Sequence, residues 1–257
     1  MTIGDYFRAV KMLCWAERPD STTSPPKTMP KIAKRILVSF SFIVLQLGSN
    51  TASADWFLSA ETKALIARAE AGDTEAQYRV GGAYDSGKGA PHDRAAAMKW
   101  YRMAAEGDNP DAQNSLGSLL QEDKKYTEAL PWYEKAAAQG HAQATNNEAY
   151  LYDLGLGVPQ DRKRGFDLYS QAADLGYAEA MWNLANMYGA GQLGPADLVM
   201  ACVWSNRASR FAGPNDKRLS VHLMRILPQL EAQLDTEKLA SCREQANSWV
   251  PSKNKQH

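Results

Sequence analysis

The sequence predicts an all-α chain: an α/α solenoid of about four to five helix pairs, closed at its N- and C-terminal ends by capping helices. Three features hold one period. A small alanine near the start of the first helix of each pair falls at Ala76, Ala112, Ala144 and Ala180, in steps of 36, 32 and 36 residues. A helix-stopping glycine falls at Gly72, Gly107, Gly140 and Gly176. An aromatic pair or its substitute falls at Trp100-Tyr101, Trp132-Tyr133, Leu168-Tyr169 and Val203-Trp204. One helix pair cannot bury its own apolar face, so a repeated pair implies stacking of neighbours.

The stretch from Gly155 to Gly191 shows the unit most plainly. Gly155 and Gly157 mark a turn and Asp161 caps a helix, along which Phe166, Leu168, Tyr169, Ala172 and Ala173 recur at helical spacing. Gly176 stops that helix; Ala180, Leu184 and Tyr188 then form a second one, with Trp182 on another side. In the first pair Ala76, Val80 and Tyr84 share a face and Asp93 caps the second helix. The second pair lacks the G-x-G turn and is shorter by about one helical turn of 3.6 residues. There Thr127 is expected to cap, and Pro131 to lie near the helix start, where a missing amide costs little. Before the array, Leu58, Leu65 and Ile66 give residues 55–72 an apolar stripe that fits an N-terminal capping helix. Residues 73–213 form the expected array, 214–250 the C-terminal capping helices, and 251–257 a disordered tail.

Residues 29–54 read as a secretory signal peptide. Lys31, Lys34 and Arg35 precede an apolar run of 12 residues from Ile36 to Leu47, and Ala52-Ser53-Ala54 offers a cleavage site before Asp55. Crossing a bilayer needs about 20 apolar residues, so no stable span is expected after cleavage. The chain is expected to be exported, to the bacterial periplasm or beyond. Residues 1–28 sit awkwardly ahead of that leader; they read as an extension upstream of a true start at Met29, or as a genuine longer leader.

Composition excludes some classes. Hydrophobic residues make up 44% of the 257 residues, enough for a core. Formal net charge is zero, but residues 1–54 hold 7 basic and 3 acidic residues, leaving 22 basic and 26 acidic beyond them. That balance gives no basic footprint for nucleic acid. The cysteines, Cys14, Cys202 and Cys242, form no C-x-x-C, and His92, His141, His222 and His257 lie far apart, so neither a metal site nor a cofactor is expected. His92 and His141 fall in turns and read as solvated. The S-x-x-K match at Ser24 to Lys27 lies in a proline-rich stretch and reads as chance. After leader cleavage Cys202 and Cys242 remain, and an oxidising compartment favours a bridge between them over two reduced, buried thiols. Glu148 stands where the other repeats carry Val80, Leu116 and Leu184; it implies a salt bridge, local exposure or a polar site inside the third repeat. Trp100, Tyr101, Trp132, Tyr133, Tyr169 and Trp204 recur with the stacking unit and read as core.

These residues resemble the Sel1-like repeat family, relatives of tetratricopeptide repeats. The first pair carries the pattern at Ala76, Val80, Gly81, Tyr84, Gly87, Gly89, Asp93, Ala97, Trp100, Tyr101, Ala104, Ala105 and Gly107. The third matches at Ala144, Ala149, Tyr152, Gly155, Gly157, Val158, Asp161, Tyr169, Ala172, Ala173 and Gly176. The tail from Val199 to Asp216, then Leu234 to Val250, is similar to that of exported bacterial members. The resemblance implies a right-handed superhelix serving as an adaptor or scaffold for a protein or peptide partner. By likeness to tetratricopeptide arrays, the first helix of each pair lines the concave face. Groove positions are then Tyr78 and Gly82, Asn114 and Ser118, Asn146 and Tyr150, and Trp182 and Asn186, with Asp85, Gln121 and Asp153 one position further along. Aromatics supply area at low entropy cost, and amides pair with peptide backbone. The plainer reading is that Tyr78 and Trp182 only pack between helices. Some cysteine-rich relatives bind penicillin or hydrolyse β-lactams, but they carry a cysteine pair in each repeat, which this chain lacks. A β-lactam-binding enzyme of the envelope and a structural envelope-assembly factor are the alternatives to the adaptor.

Overall fold

The computed structural model describes residues 58–213 and 216–252, and those residues fold into helices with no strand among them. The expected extension and most of the expected leader-to-array segment, through residue 57, lie outside the described residues, as do 253–257 of the expected tail.

The first helix, α1 (Ala60–Glu70), precedes four pairs: α2 (Thr74–Ser86) with α3 (Arg94–Glu106), α4 (Pro110–Glu122) with α5 (Tyr126–Ala138), α6 (Ala142–Leu154) with α7 (Arg162–Asp174), and α8 (Ala178–Gly189) with α9 (Leu198–Phe211). Two helices follow, α10 (Lys217–Glu231) and α11 (Thr236–Ser248). Each helix packs against the next along the array, and α9 receives both α10 and α11.

Local chemistry sets the boundaries. Asp73, Asn109, Asp161 and Asp197 each accept an amide hydrogen bond from the first turn of the helix they precede, and Asp93 accepts two. Such caps contribute about 1 kcal/mol each. Gly87 and Gly155 end α2 and α6 in the left-handed region, at φ 70° and 69°, which a side chain would resist. The second pair departs from expectation. Its tighter turn places Lys124 in the left-handed region at φ 60°, and α5 already starts at Tyr126. Thr127 is therefore inside the helix rather than its cap; Lys125 holds the cap position without a side-chain bond. Pro131 is also well inside α5, so the Thr127 carbonyl lacks its usual amide partner.

The core is built from one repeated contact. Tyr101, Tyr133 and Tyr169, on the second helices, are 4%, 0% and 1% exposed. A Cβ added to Gly81 would lie 2.6 Å from the Tyr101 ring, and one added to Gly117 would lie 2.6 Å from the Tyr133 ring. In the third and fourth pairs alanines, Ala149 and Ala185, hold the position of those glycines. Burial raises all three phenols, that of Tyr133 to about 12. Of the aromatics expected in the core, Tyr101, Tyr133, Tyr169 and Trp204 are buried, while Trp100 and Trp132 are half-buried and pack against its edge. Adjacent residues on a helix point about 100° apart, so in these two pairs the tyrosine takes the inner place and the tryptophan the edge. Lys135 Nζ lies 4.6 Å from the centre of the Trp132 ring, covering its outer side.

Glu148 is buried, 4% exposed, and paired: Arg164 donates to its Oε1 at 3.2 Å. The Arg164 guanidinium also stacks 3.8 Å from the centre of the Tyr152 ring and lies 3.8 Å from Glu134. Burial, reinforced by Glu134 and opposed by Arg164, raises the Glu148 carboxyl above its ordinary value.

At the C-terminal end a disulfide joins Cys202 of α9 to Cys242 of α11, with Cα atoms 6.0 Å apart. Closing a loop of that length contributes about 2–4 kcal/mol. Arg207 and Arg210 of α9 donate to the carbonyls of Gln245 and Asn247 near the end of α11, where cations complement the helix dipole. Burial draws Arg207 down to about 10.

Two outcomes follow from this packing. Gly117→Ala gains helix propensity but overpacks a ring held from behind, because the Tyr133 hydroxyl donates to Gln121 at 3.0 Å; it should cost about 1–3 kcal/mol, read as a lower midpoint in urea with an unchanged slope. Glu148→Leu should stabilise the chain by about 1 kcal/mol at pH 7. The raised carboxyl favours folding fully below its ordinary value of 4.5 and loses that contribution as pH rises through the folded value. The advantage of Glu148→Leu should therefore shrink as pH falls from the raised folded value towards 4.5 and be smallest below it, and thermal melts between pH 4 and pH 8 check the trend.

Candidate interaction groove

The first helices, α2, α4, α6 and α8, stand next to one another on one side of the array, and side-chain amides join α4 to α6 and α6 to α8. Asn147 of α6 donates to Asn114 Oδ1 of α4 at 3.0 Å, and Asn183 of α8 donates to Asn146 Oδ1 of α6 at 3.0 Å. This ladder takes one residue from the expected groove positions and one from the position just after it. Asn147 and Asn183 were absent from the expected set, although their recurrence 36 residues apart is visible in the sequence.

Two clefts open along this side. The larger, of about 590 Å³, is lined by Gln121, Asn146, Tyr150 and Trp182 of the expected set. The smaller, of about 250 Å³, is lined by Tyr78, Asp85, Asn114 and Ser118. Eight of the eleven expected groove positions therefore line two neighbouring clefts.

Three expected positions are placed elsewhere. Gly82 lines neither cleft, and Asn186 is exposed and lines neither. Asp153 is buried, 8% exposed, at the seam between α6 and α7. The cause is Gly165, which takes the place held by Ala97 and Ala201 in other pairs: a Cβ there would meet Asp153 Cβ at 3.1 Å, so the glycine lets α7 lie on the aspartate. Burial raises the Asp153 carboxyl, and Arg162, 4.0 Å away, opposes that only in part.

The side chains that do reach the clefts are held firmly. The Tyr78 ring packs 5.8 Å from that of Tyr101 while its edge lines the smaller cleft, so packing and lining coexist. Trp182 meets His222 edge-on, with ring centres 4.8 Å apart. Tyr150 is the most open aromatic of the set, at 38% exposure. Asp85 accepts the Tyr101 hydroxyl at 3.4 Å. His141 is not a solvated turn residue: its Nδ1 accepts the Ala144 amide and caps α6. The proton then sits on Nε2, which faces Asp111 at 3.2 Å on the wall of the smaller cleft. His92 is exposed, as expected, and its Nδ1 donates to the Asp85 carbonyl.

Arg218, Leu219 and His222 of α10 complete the larger cleft. No sequence signal pointed to them, because α10 lies beyond the last repeat and has no register to copy. Among the described residues, no helix is long and apolar enough to cross a membrane.

Comparison with known proteins follows the same lines. A model of the Sel1 repeat matches residues 74–109, 110–141, 142–177 and 178–210, together more than half of the chain. Chitin synthase regulatory factor 3 of Schizosaccharomyces pombe is 30% identical over 102 residues, covering 39% of this chain and 11% of that protein. An ERAD-associated E3 ubiquitin-protein ligase component of Candida glabrata is 38% identical over 77 residues, covering 29% and 9%. The chain thus spans about a tenth of the length of these relatives. A crystal structure of a Sel1 repeat protein from Oxalobacter formigenes superposes with a TM-score of 0.61 at 30% identity, over 72% of this chain and 75% of that one. A protective antigen of uropathogenic Escherichia coli with an SLR fold superposes with a TM-score of 0.66 at 25% identity, over 73% and 40%. Sel1 repeat proteins serve as interaction and adaptor modules, and two of these relatives are by name an enzyme regulator and a ligase component. The matched segments fall on the four pairs α2–α3, α4–α5, α6–α7 and α8–α9, and the chain belongs to the Sel1 repeat family.

Proposed function

We propose that this chain is an exported adaptor that holds an extended peptide segment of a partner protein along α2, α4, α6 and α8. The amide ladder carries this reading. Asn114 and Asn146 give their Oδ1 atoms to the ladder and keep their Nδ2 groups; Asn147 and Asn183 give an Nδ2 hydrogen and keep their Oδ1 atoms. The α4–α6 and α6–α8 junctions thus each offer a donor and an acceptor side by side, the pair an extended backbone presents. Packed helices lie about 8–10 Å apart, which is close to three residues of extended chain at about 3.3 Å each. Tyr150, Trp182 and Tyr78 flank the ladder and supply apolar area for the intervening side chains. The export part of the proposal rests on the leader pattern of residues 29–54.

Two measurements test these parts separately. A photo-crosslinking residue at position 182 should give one discrete adduct in the envelope, absent when the residue is moved to the exposed Lys99 on α3. Tyr150→Ala should then weaken binding of the captured segment about tenfold with at most a small loss of melting temperature, since Tyr150 is 38% exposed. Equal adducts at both positions, or full affinity in Tyr150→Ala, would remove the groove. For export, the N-terminus of protein recovered from the producing cell should read Asp55; a chain still carrying residues 29–54 would contradict cleavage.

A further inference from the structure

We propose that the outward face of α10 is a second docking surface, which takes an acidic amphipathic helix of a partner protein. α10 has two apolar sides. Leu219 and Leu223, 8% and 0% exposed, anchor it in the core cluster that also holds Trp204 and Ala208 of α9. Val221 and Met224 point the other way, 64% and 67% exposed, the most open large apolar side chains among the described residues. With Pro228 they recur at i, i+3 and i+7, so they form one ridge along the helix.

The ridge is bordered by charge of one sign. Lys217 and Arg225 flank it, and from Lys217 to Leu230 the helix carries no carboxylate. Neither cation has an ion-pair partner among the described residues; Arg225 makes only a long contact, 3.5 Å, to His222 Nδ1. The nearest carboxylates in sequence are already engaged. Asp216, before the helix, accepts the Gly213 amide at 2.9 Å, and Glu231, at its end, pairs with Arg243 at 2.8 Å. An apolar ridge with an unneutralised cationic border matches a partner whose own ridge is bordered by carboxylates. Methionine suits the centre of such a contact, because its thioether and three rotatable bonds let it fit an uneven groove. A lipid surface fits less well: interfacial helices insert tryptophan, phenylalanine and leucine, and no aromatic side chain stands on this ridge. At 1.5 Å per residue α10 offers a strip about 22 Å long, enough for three turns of a partner helix. The surface is separate from the groove, which α10 meets through Arg218, Leu219 and His222.

The test uses the purified chain and a labelled synthetic helix with leucines at i, i+3, i+4 and i+7 flanked by glutamates, followed by fluorescence anisotropy. Two controls are the same peptide with every glutamate changed to glutamine, and vesicles of phosphatidylglycerol and phosphatidylcholine. The glutamate peptide should bind at least tenfold tighter than the glutamine peptide. Val221→Ser with Met224→Ser should cut that affinity at least tenfold, and Lys217→Glu with Arg225→Glu should abolish the preference for glutamate. Because all four side chains are exposed, circular dichroism should show unchanged helix content. Tyr150→Ala in the groove should leave binding intact, which separates this surface from the peptide groove. No binding, equal affinity for both peptides, or indifference to the Val221 and Met224 changes would overturn the proposal. So would vesicle co-sedimentation that depends on Met224, since it would assign the ridge to lipid.

Discussion

The array depends on a tyrosine ring lying flat against a side-chain-free spot on the helix before it. Gly81 receives Tyr101 and Gly117 receives Tyr133, each at a distance that leaves no room for a methyl group. The ring fills the space between two helices, and its hydroxyl reaches the edge, where Tyr101 finds Asp85 and Tyr133 finds Gln121. A large apolar body with one polar end can thus be buried without orphaning its oxygen. The first two pairs make this contact; in the third Tyr169 is buried as well, with Ala149 at the glycine's position.

The register of the repeats makes the groove possible. Side chains at one offset face the same side, and the asparagines at two neighbouring offsets bridge consecutive pairs. The third pair is where the pattern is most strained. Gly165 draws α7 onto Asp153, and Glu148 sits buried against Arg164. Both carboxyls are raised by burial, so two charges are held at a cost inside one pair. The same pair contributes Asn146, Asn147 and Tyr150 to the larger cleft.

The C-terminal end is closed by different means. No further repeat stacks on α9 among the described residues; α11 is tied to it by the Cys202–Cys242 bridge and by two arginines that engage its last carbonyls. Trp249 completes the lid, with its ring 5.9 Å from that of Trp204 and 5.7 Å from that of Phe211. With α11 covering one side of α9, α10 is left to form the end wall of the cleft on one edge and a basic, apolar ridge on the other.

The repeat was legible in the sequence because it is a statement about period, and period needs no coordinates. Alanine, glycine and aromatic positions recurring together require helix pairs, and a helix pair with one open apolar face requires a neighbour. The likeness to tetratricopeptide arrays, applied at the repeat offsets, pointed to Tyr78, Asp85, Asn114, Ser118, Asn146, Tyr150 and Trp182, which line the two clefts. What the period could not decide were the departures from it. Whether Asp153 faces a groove or a helix turned on one missing Cβ at Gly165, on the far element. Whether Trp132 or Tyr133 entered the core turned on helix phase, which a pair of adjacent aromatics leaves open. The contributions of Arg218 and His222 depended on how α10 folds back beside α8, a contact between segments with no repeat in common. Periodic residues share one environment and can be read from one another; a single residue has the environment that its neighbours in space give it, and only the tertiary structure names those neighbours.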